Sequence, residues 1–101
     1  MLYNNGFDEQ IEELVLEDEE ISLGKKGQIV VYNDDHNTFD WVIDCFMDIL
    51  KHTAEQAEQL SLIIHFKGKA IVKTAAVNIL KPLKDGLIDK GLSAVIEEVD
   101  Q

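Results

Sequence analysis

With 101 residues and a formal net charge of -11, the chain has room for one hydrophobic core and not two. That acidity argues against nucleic acid and anionic membrane surfaces as partners, since both need clustered Lys and Arg. The single cysteine, Cys45, rules out an intrachain disulfide and suits a reducing compartment. The first residues carry no basic stretch followed by an apolar run, so they do not read as a secretory signal. No apolar run is long enough to span a bilayer. The expected setting is cytoplasmic.

The charge is unevenly placed. Asp8, Glu9, Glu12, Glu13, Glu17, Asp18, Glu19 and Glu20 all precede the first base, Lys25. The remaining twelve acids against nine bases leave -3 for everything after them. Residues 1–26 therefore read as an acidic, disordered extension, although Ile11, Leu14, Val15 and Leu16 recur at roughly helical spacing. The folded domain is expected over 27–101, after the turn-prone Gly24-Lys25-Lys26-Gly27.

Gln28 to Tyr32 is rich in β-branched residues and predicts a strand. A helix should follow, with Asn37 as N-cap and Asp40 in its first turn, where a carboxylate favours the helix N-terminus. Trp41, Val42, Cys45, Phe46, Ile49 and Leu50 form its packing face, and Lys51-His52 close it. Cys45 on that face reads as an inert small hydrophobe, while His36 and His52 read as surface residues.

Thr53-Ala54-Glu55-Gln56 is a capping box and starts a second helix directly after the first. Ala57, Leu60, Ile63 and Ile64 should form its core face, and Gly68 its C-cap. Lys69 to Lys73 alternates in the manner of a half-exposed strand. A third helix with Asn78 as N-cap would leave Pro82 among the first amides, which lack intrahelical partners anyway. Leu80, Leu83, Leu87 and Ile88 would then share one side, with Gly86 as a weak point of up to ~1 kcal/mol and Gly91 at the exit. Leu92 to Glu97 reads as the last strand. The expected fold is α+β: a single small domain of order β-α-α-β-α-β, with three helices packed on a small antiparallel sheet.

The stretch that carries chemistry joins the first strand to the first helix: Asn33, Asp34, Asp35, His36 and Asn37. Polar groups at such a corner are held rigidly yet stay open to water, and two adjacent carboxylates favour a cation between them. Taken alone, Asn-Asp-Asp there is most often turn and cap chemistry. A metal site from Asp34, Asp35, His36 and His65 is conceivable, but no helical His pair or Cys pair supports it, and the EF-hand glycine is missing. Nothing resembles a nucleophile elbow or a phosphate loop, so an enzyme is not expected, nor a cofactor or metal. A non-enzymatic interaction module of ribosomal-stalk-like α/β fold has a similar element order and stands as the alternative.

Two blocks resolve these options by resemblance. Val31-Tyr32-Asn33-Asp34-Asp35 followed by Phe39-Asp40-Trp41-Val42-Ile43-Asp44 resembles the signature of ClpS, the adaptor of the ATP-dependent Clp protease. Ala57-Glu58-Gln59-Leu60-Ser61-Leu62-Ile63-Ile64-His65-Phe66-Lys67-Gly68-Lys69-Ala70 resembles that family's second block, and Gly91 to Glu97 is similar to its last strand. The resemblance covers about residues 28–98. It implies a ClpS-like adaptor, acting as a monomer, that binds proteins with a destabilising bulky hydrophobic N-terminal residue (the N-degron). It would deliver them to a Clp AAA+ unfoldase of the ClpA or ClpC type.

Capturing a protonated α-amine, which has three donors and no acceptor, needs a cup of acceptors. The resemblance implies Asn33, Asp34, Asp35 and His65, with Asp35 as the direct side-chain acceptor. A neutral His65 can accept from the amine, so binding should weaken when acid protonates it. The neighbouring side-chain pocket, matched position by position, would be Tyr32, Asn37, Phe39, Val42, Ser61, Ile64 and Leu92. Phe39 and Ser61 stand where many family members carry methionine, which exchanges a flexible thioether for a rigid ring and for a hydroxyl with more room.

Overall fold

The computed structural model describes residues 25–99; the expected acidic extension lies almost wholly outside them. The elements run β1 (Lys26–Tyr32), α1 (Phe39–Ile49), α2 (Ala54–Lys67), β2 (Lys69–Ala76), α3 (Val77–Asp89) and β3 (Ser93–Val99). Among the described residues the strands form one antiparallel sheet of order β2-β1-β3. The expected α+β order and layering are therefore observed.

Alternation along β1 sends Ile29 and Val31 into the core, where they meet Ala70 and Val72 of β2 and Ala94 of β3. The helices contribute Cys45, Phe46 and Leu50 from α1, Ala57 and Ile64 from α2, and Leu80 and Leu87 from α3. On the other face Ile71 and Val95 remain exposed on either side of Val30, to which both are paired. The helices thus cover one face of the sheet.

Helix ends follow local chemistry, with three corrections. Thr38, not Asn37, caps α1, its side chain accepting from the Trp41 N–H. Asp40 does sit in the first turn. Thr53 and Gln56 form the expected reciprocal capping box of α2. Gly68 closes that helix at φ 96, in the left-handed region that suits glycine. α3 begins at Val77 rather than after Asn78, and Ala76 gives it no side-chain cap. Pro82 consequently lies inside the helix, where it has no N–H to offer the Asn78 carbonyl. Pairing of β2 with β1 runs as far as Ala76, and the Val77 N–H donates to the Lys25 carbonyl. Sheet pairing, rather than a cap residue, sets where α3 starts.

Packing also departs from periodicity at three positions, Ile63, Trp41 and Ile88, the last of which is exposed on α3 instead of sharing the packed side of Leu80 and Leu87. Ile63 is 41% exposed, and the small Ser61, at 3%, takes the buried place on α2. Trp41 is half-exposed, and its indole N–H donates to the Lys90 carbonyl at 3.0 Å, while the Lys90 ammonium lies 5.7 Å from the ring centre. The ring thus ties α1 to the end of α3 instead of filling the core. Gly86 allows close approach of the same two helices, since a Cβ there would stand 3.2 Å from Ile49 Cγ2. Cys45 is buried. Burial pushes its thiol up, with Asp44 and Asp48 adding to the shift against Lys90, so it behaves as a small hydrophobe.

His52 is not a free surface residue. The register Ile29↔Lys73 then Val30↔Ile71 skips Val72, and a bulged residue loses its ladder partner. The His52 Nε2–H meets the Val72 carbonyl at 2.8 Å. Because a carbonyl can only accept, that nitrogen carries the proton. His52→Ala should lower stability by about 1 kcal/mol, read as a drop in melting temperature with unchanged peptide binding.

Candidate functional site

Strand pairing creates the site. Tyr32, the last residue of β1, pairs with Lys69, the first of β2. The Asn33 N–H donates to the Gly68 carbonyl at 2.9 Å. Gly68 is the C-cap of α2, so the polar corner after β1 is brought beside the last turn of that helix, which carries His65. Residues more than thirty apart in sequence become neighbours through one antiparallel pairing.

A cavity of about 290 Å³ opens there. It is lined by Asn33, Asp34, Asp35 and Asn37 of the corner, Phe39 and Val42 of α1, and Ser61, Ile64 and His65 of α2. Phe39 and Val42 of α1 and Ile64 of α2 supply its apolar wall. The volume suits one large side chain. Tyr32 and Leu92, two of the residues matched as pocket wall, do not line it. They line a separate void of about 20 Å³, together with Val31 and with Asn33, Asp34, Asn37, Val42 and Ile64. The last five belong to both, so Asn37, Val42 and Ile64 stand between the main cavity and Leu92.

The two aspartates are not equivalent. Asp34 Oδ1 accepts from the backbone N–H groups of His36 and Asn37, each at 2.9 Å. Its Oδ2 accepts from the Asn37 side-chain amide at 2.9 Å. Partial burial acts to raise this carboxyl, but the Asn37 hydrogen bonds, the His36 N–H and the His36 charge outweigh it and hold it below the usual carboxylate range. Asp35 is exposed, and its carboxylate has no hydrogen-bond partner among the described residues. Asp34 is therefore committed to the fold of the corner, while Asp35 keeps its charge for something else.

Asn37, excluded from capping, has a different task. The same amide nitrogen that binds Asp34 donates to the Gly91 carbonyl at 2.9 Å, across 54 residues. With the Trp41 bond to Lys90, two consecutive carbonyls at the end of α3 are held by side chains from the corner and from α1. Helix-end carbonyls lack intrahelical donors, so the turn that delivers Leu92 is secured. Periodicity could not reveal this link, because the only sequence signal is an amide near a turn.

Phe39, at 37% exposure, stands at the mouth, and His65 stacks edge-on against the outward Phe66 with ring centres 4.8 Å apart. Ser61 lies one helical turn before His65 and is buried, and its Oγ has no hydrogen-bond partner among the described residues. Among those residues, no cluster of three His, Cys, Asp or Glu side chains is placed to hold a metal ion. None of their helices is long and apolar enough to cross a membrane.

A small sheet covered on one face by helices, with a cavity bordered by polar groups and by Phe39, Val42 and Ile64, has the architecture of a small α+β binding domain. Comparison with known proteins gives the family. The model of the family described as ATP-dependent Clp protease adaptor protein ClpS matches residues 24–94, and the chain belongs to that adaptor family. It is 34% identical over 65 residues to the ATP-dependent Clp protease adapter protein ClpS of Oleidesulfovibrio alaskensis, covering 62% of each chain. It is 30% identical over 66 residues to that of Acetivibrio thermocellus, covering 65% of this chain and 66% of the other. The matched stretch is thus under two thirds of these relatives' length. The structure of Agrobacterium tumefaciens ClpS2 bound to L-phenylalaninamide superposes with a TM-score of 0.72 at 17% identity, covering 75% of this chain and 99% of that one. That likeness concerns the fold.

Proposed function

We propose that this chain is a non-enzymatic N-degron adaptor. It binds the free N-terminus of proteins that begin with a bulky hydrophobic residue and passes them, as a monomer, to a Clp AAA+ unfoldase of the ClpA or ClpC type. The observation that carries this reading is the single cavity in which acceptor groups of Asn33, Asp35 and His65 border the apolar wall of Phe39, Val42 and Ile64. A protonated α-amine offers three donors to such a rim, and charge-assisted hydrogen bonds are the strong ones. The side chain beside the amine is then directed into the apolar space, where burial of a large residue contributes about 1.5–3 kcal/mol.

Support also comes from the fold relative of Agrobacterium tumefaciens, which is bound to L-phenylalaninamide, a molecule with a free α-amine beside an aromatic side chain. Asp34 serves this reading indirectly, by fixing the corner on which Asn33 and Asp35 stand.

The test is a titration of one peptide in two forms, with a free N-terminal leucine and with that leucine acetylated. Acetylation removes the charge and two donors, so affinity should fall by about tenfold or more. Equal affinity for the two forms would reject amine recognition and favour the plain interaction module.

A further inference from the structure

We propose that Ser61 reads the far end of the captured side chain, so that this adaptor favours N-terminal tyrosine over phenylalanine. The inference rests on the N-degron reading above and adds the chemistry of the preferred residue.

Ser61 is 3% exposed and lines the cavity. Among the described residues it is the one buried polar side chain, and its Oγ is sealed from water with no hydrogen-bond partner among them. Buried hydroxyls are nearly always paired, and an unpaired one is unfavourable by a margin that a partner would recover. Nothing in the fold requires a polar group here. The neighbouring walls are Val42, Ile64 and Phe39, and alanine at this position would leave no orphaned hydroxyl. A serine side chain has three staggered rotamers and a freely rotating hydroxyl hydrogen, and a rotamer change at Ser61, which lines the cavity, is the movement that the proposal requires.

Geometry selects the ligand group. Ser61 and His65 are four residues apart on α2, so they lie on one face about 6 Å apart along the axis. One is buried and the other borders the opening. A tyrosine measured from its α-nitrogen to its phenolic oxygen spans somewhat more than one helical turn. With the amine at the His65 end, the phenol reaches the Ser61 end. The phenol both donates and accepts, as does the serine hydroxyl, so either can supply the proton. Phenylalanine fills the same space but leaves Ser61 unpaired, and leucine leaves both the hydroxyl and part of the volume unused. Sites built to hydrogen-bond a substrate hydroxyl discriminate against the analogue that lacks it.

The experiment measures dissociation constants for two peptides that differ only in Tyr or Phe at the first position, each free and acetylated, against wild type and Ser61→Ala. Wild type should bind the Tyr peptide roughly tenfold more tightly than the Phe peptide. Ser61→Ala should abolish that ratio while keeping the dependence on a free amine. Its melting temperature should stay equal or rise, because an orphaned hydroxyl has been removed. Equal binding of Tyr and Phe peptides by wild type, an unchanged ratio in Ser61→Ala, or a lowered melting temperature showing a structural bond would each overturn the proposal. If neither peptide distinguishes free from acetylated amine, it is the N-degron reading that fails, and the two failures are separable.

Discussion

Asp35→Ala is expected to weaken binding of a peptide with a free N-terminal leucine by about 1–3 kcal/mol, and His65→Ala by a similar amount. Both residues border the cavity from opposite sides, one on the corner after β1 and one on the last turn of α2. The asymmetry between the aspartates decides which carboxylate to test. Asp34 already accepts from His36 and Asn37, so a fourth donor would compete with bonds that shape the corner. Asp35 has no such commitment among the described residues, and a charged donor docking on it gains without displacing anything. Neither change touches a core contact, so the melting temperature should move little. Binding to the acetylated peptide should be equally weak in wild type and both variants. Wild-type affinity in Asp35→Ala and His65→Ala would remove these side chains from the amine site.

Asp34→Ala should act on the fold first, lowering stability by about 1–3 kcal/mol at neutral pH and weakening peptide binding as a consequence. Alanine leaves the N–H groups of His36 and Asn37 and the Asn37 amide without their acceptor. Asn37 then loses the group that aims it at Gly91. The pH dependence gives a sharper test. The Asp34 carboxyl is held below its ordinary 3.8 in the folded protein. A depressed folded-state value stabilises above the unfolded value, and that contribution is lost as pH falls through the folded one. The stability gap between wild type and Asp34→Asn should therefore be full near neutral pH and shrink below about pH 4. Thermal unfolding of both proteins across that range measures it. A gap that stays constant with pH would show that the charge of Asp34 contributes nothing.

Much of this molecule was readable wherever a few adjacent residues settle the matter. The capping box at Thr53 and Gln56, the left-handed stop at Gly68 and the β-branched run of β1 depend on neighbours within one turn, and all appear as expected. The two blocks that carry the resemblance to the ClpS family were equally local. Local preference gives way where a distant partner competes with it. Asn37 is a good N-cap residue in isolation, yet Asp34 on one side and the Gly91 carbonyl on the other engage its amide, so the cap passes to Thr38. Asn78 is likewise a good cap, but strand pairing with β1 carries the chain to Ala76 and starts α3 earlier, which places Pro82 inside it. Trp41 fits the apolar stripe of α1, but its indole N–H finds the Lys90 carbonyl, and a large ring with a polar handle settles where both halves are satisfied. His52 reads as a loop residue until the bulge in β2 leaves a carbonyl for it to bind.

By itself, then, the amino-acid order determined the element sequence and the closures of α2, because caps, turns and periodicity act over a few residues, while two blocks carried the resemblance to the ClpS family. Only the tertiary structure decided that Asn33 and His65 share one cavity, that Asp34 is spent on the corner, and that, among the described residues, Asp35 and the buried Ser61 beside that cavity have no hydrogen-bond partner. Those outcomes depend on antiparallel pairing of β1 with β2 and on which groups water can still reach. Pairing of segments distant along the chain leaves no periodic trace in either one.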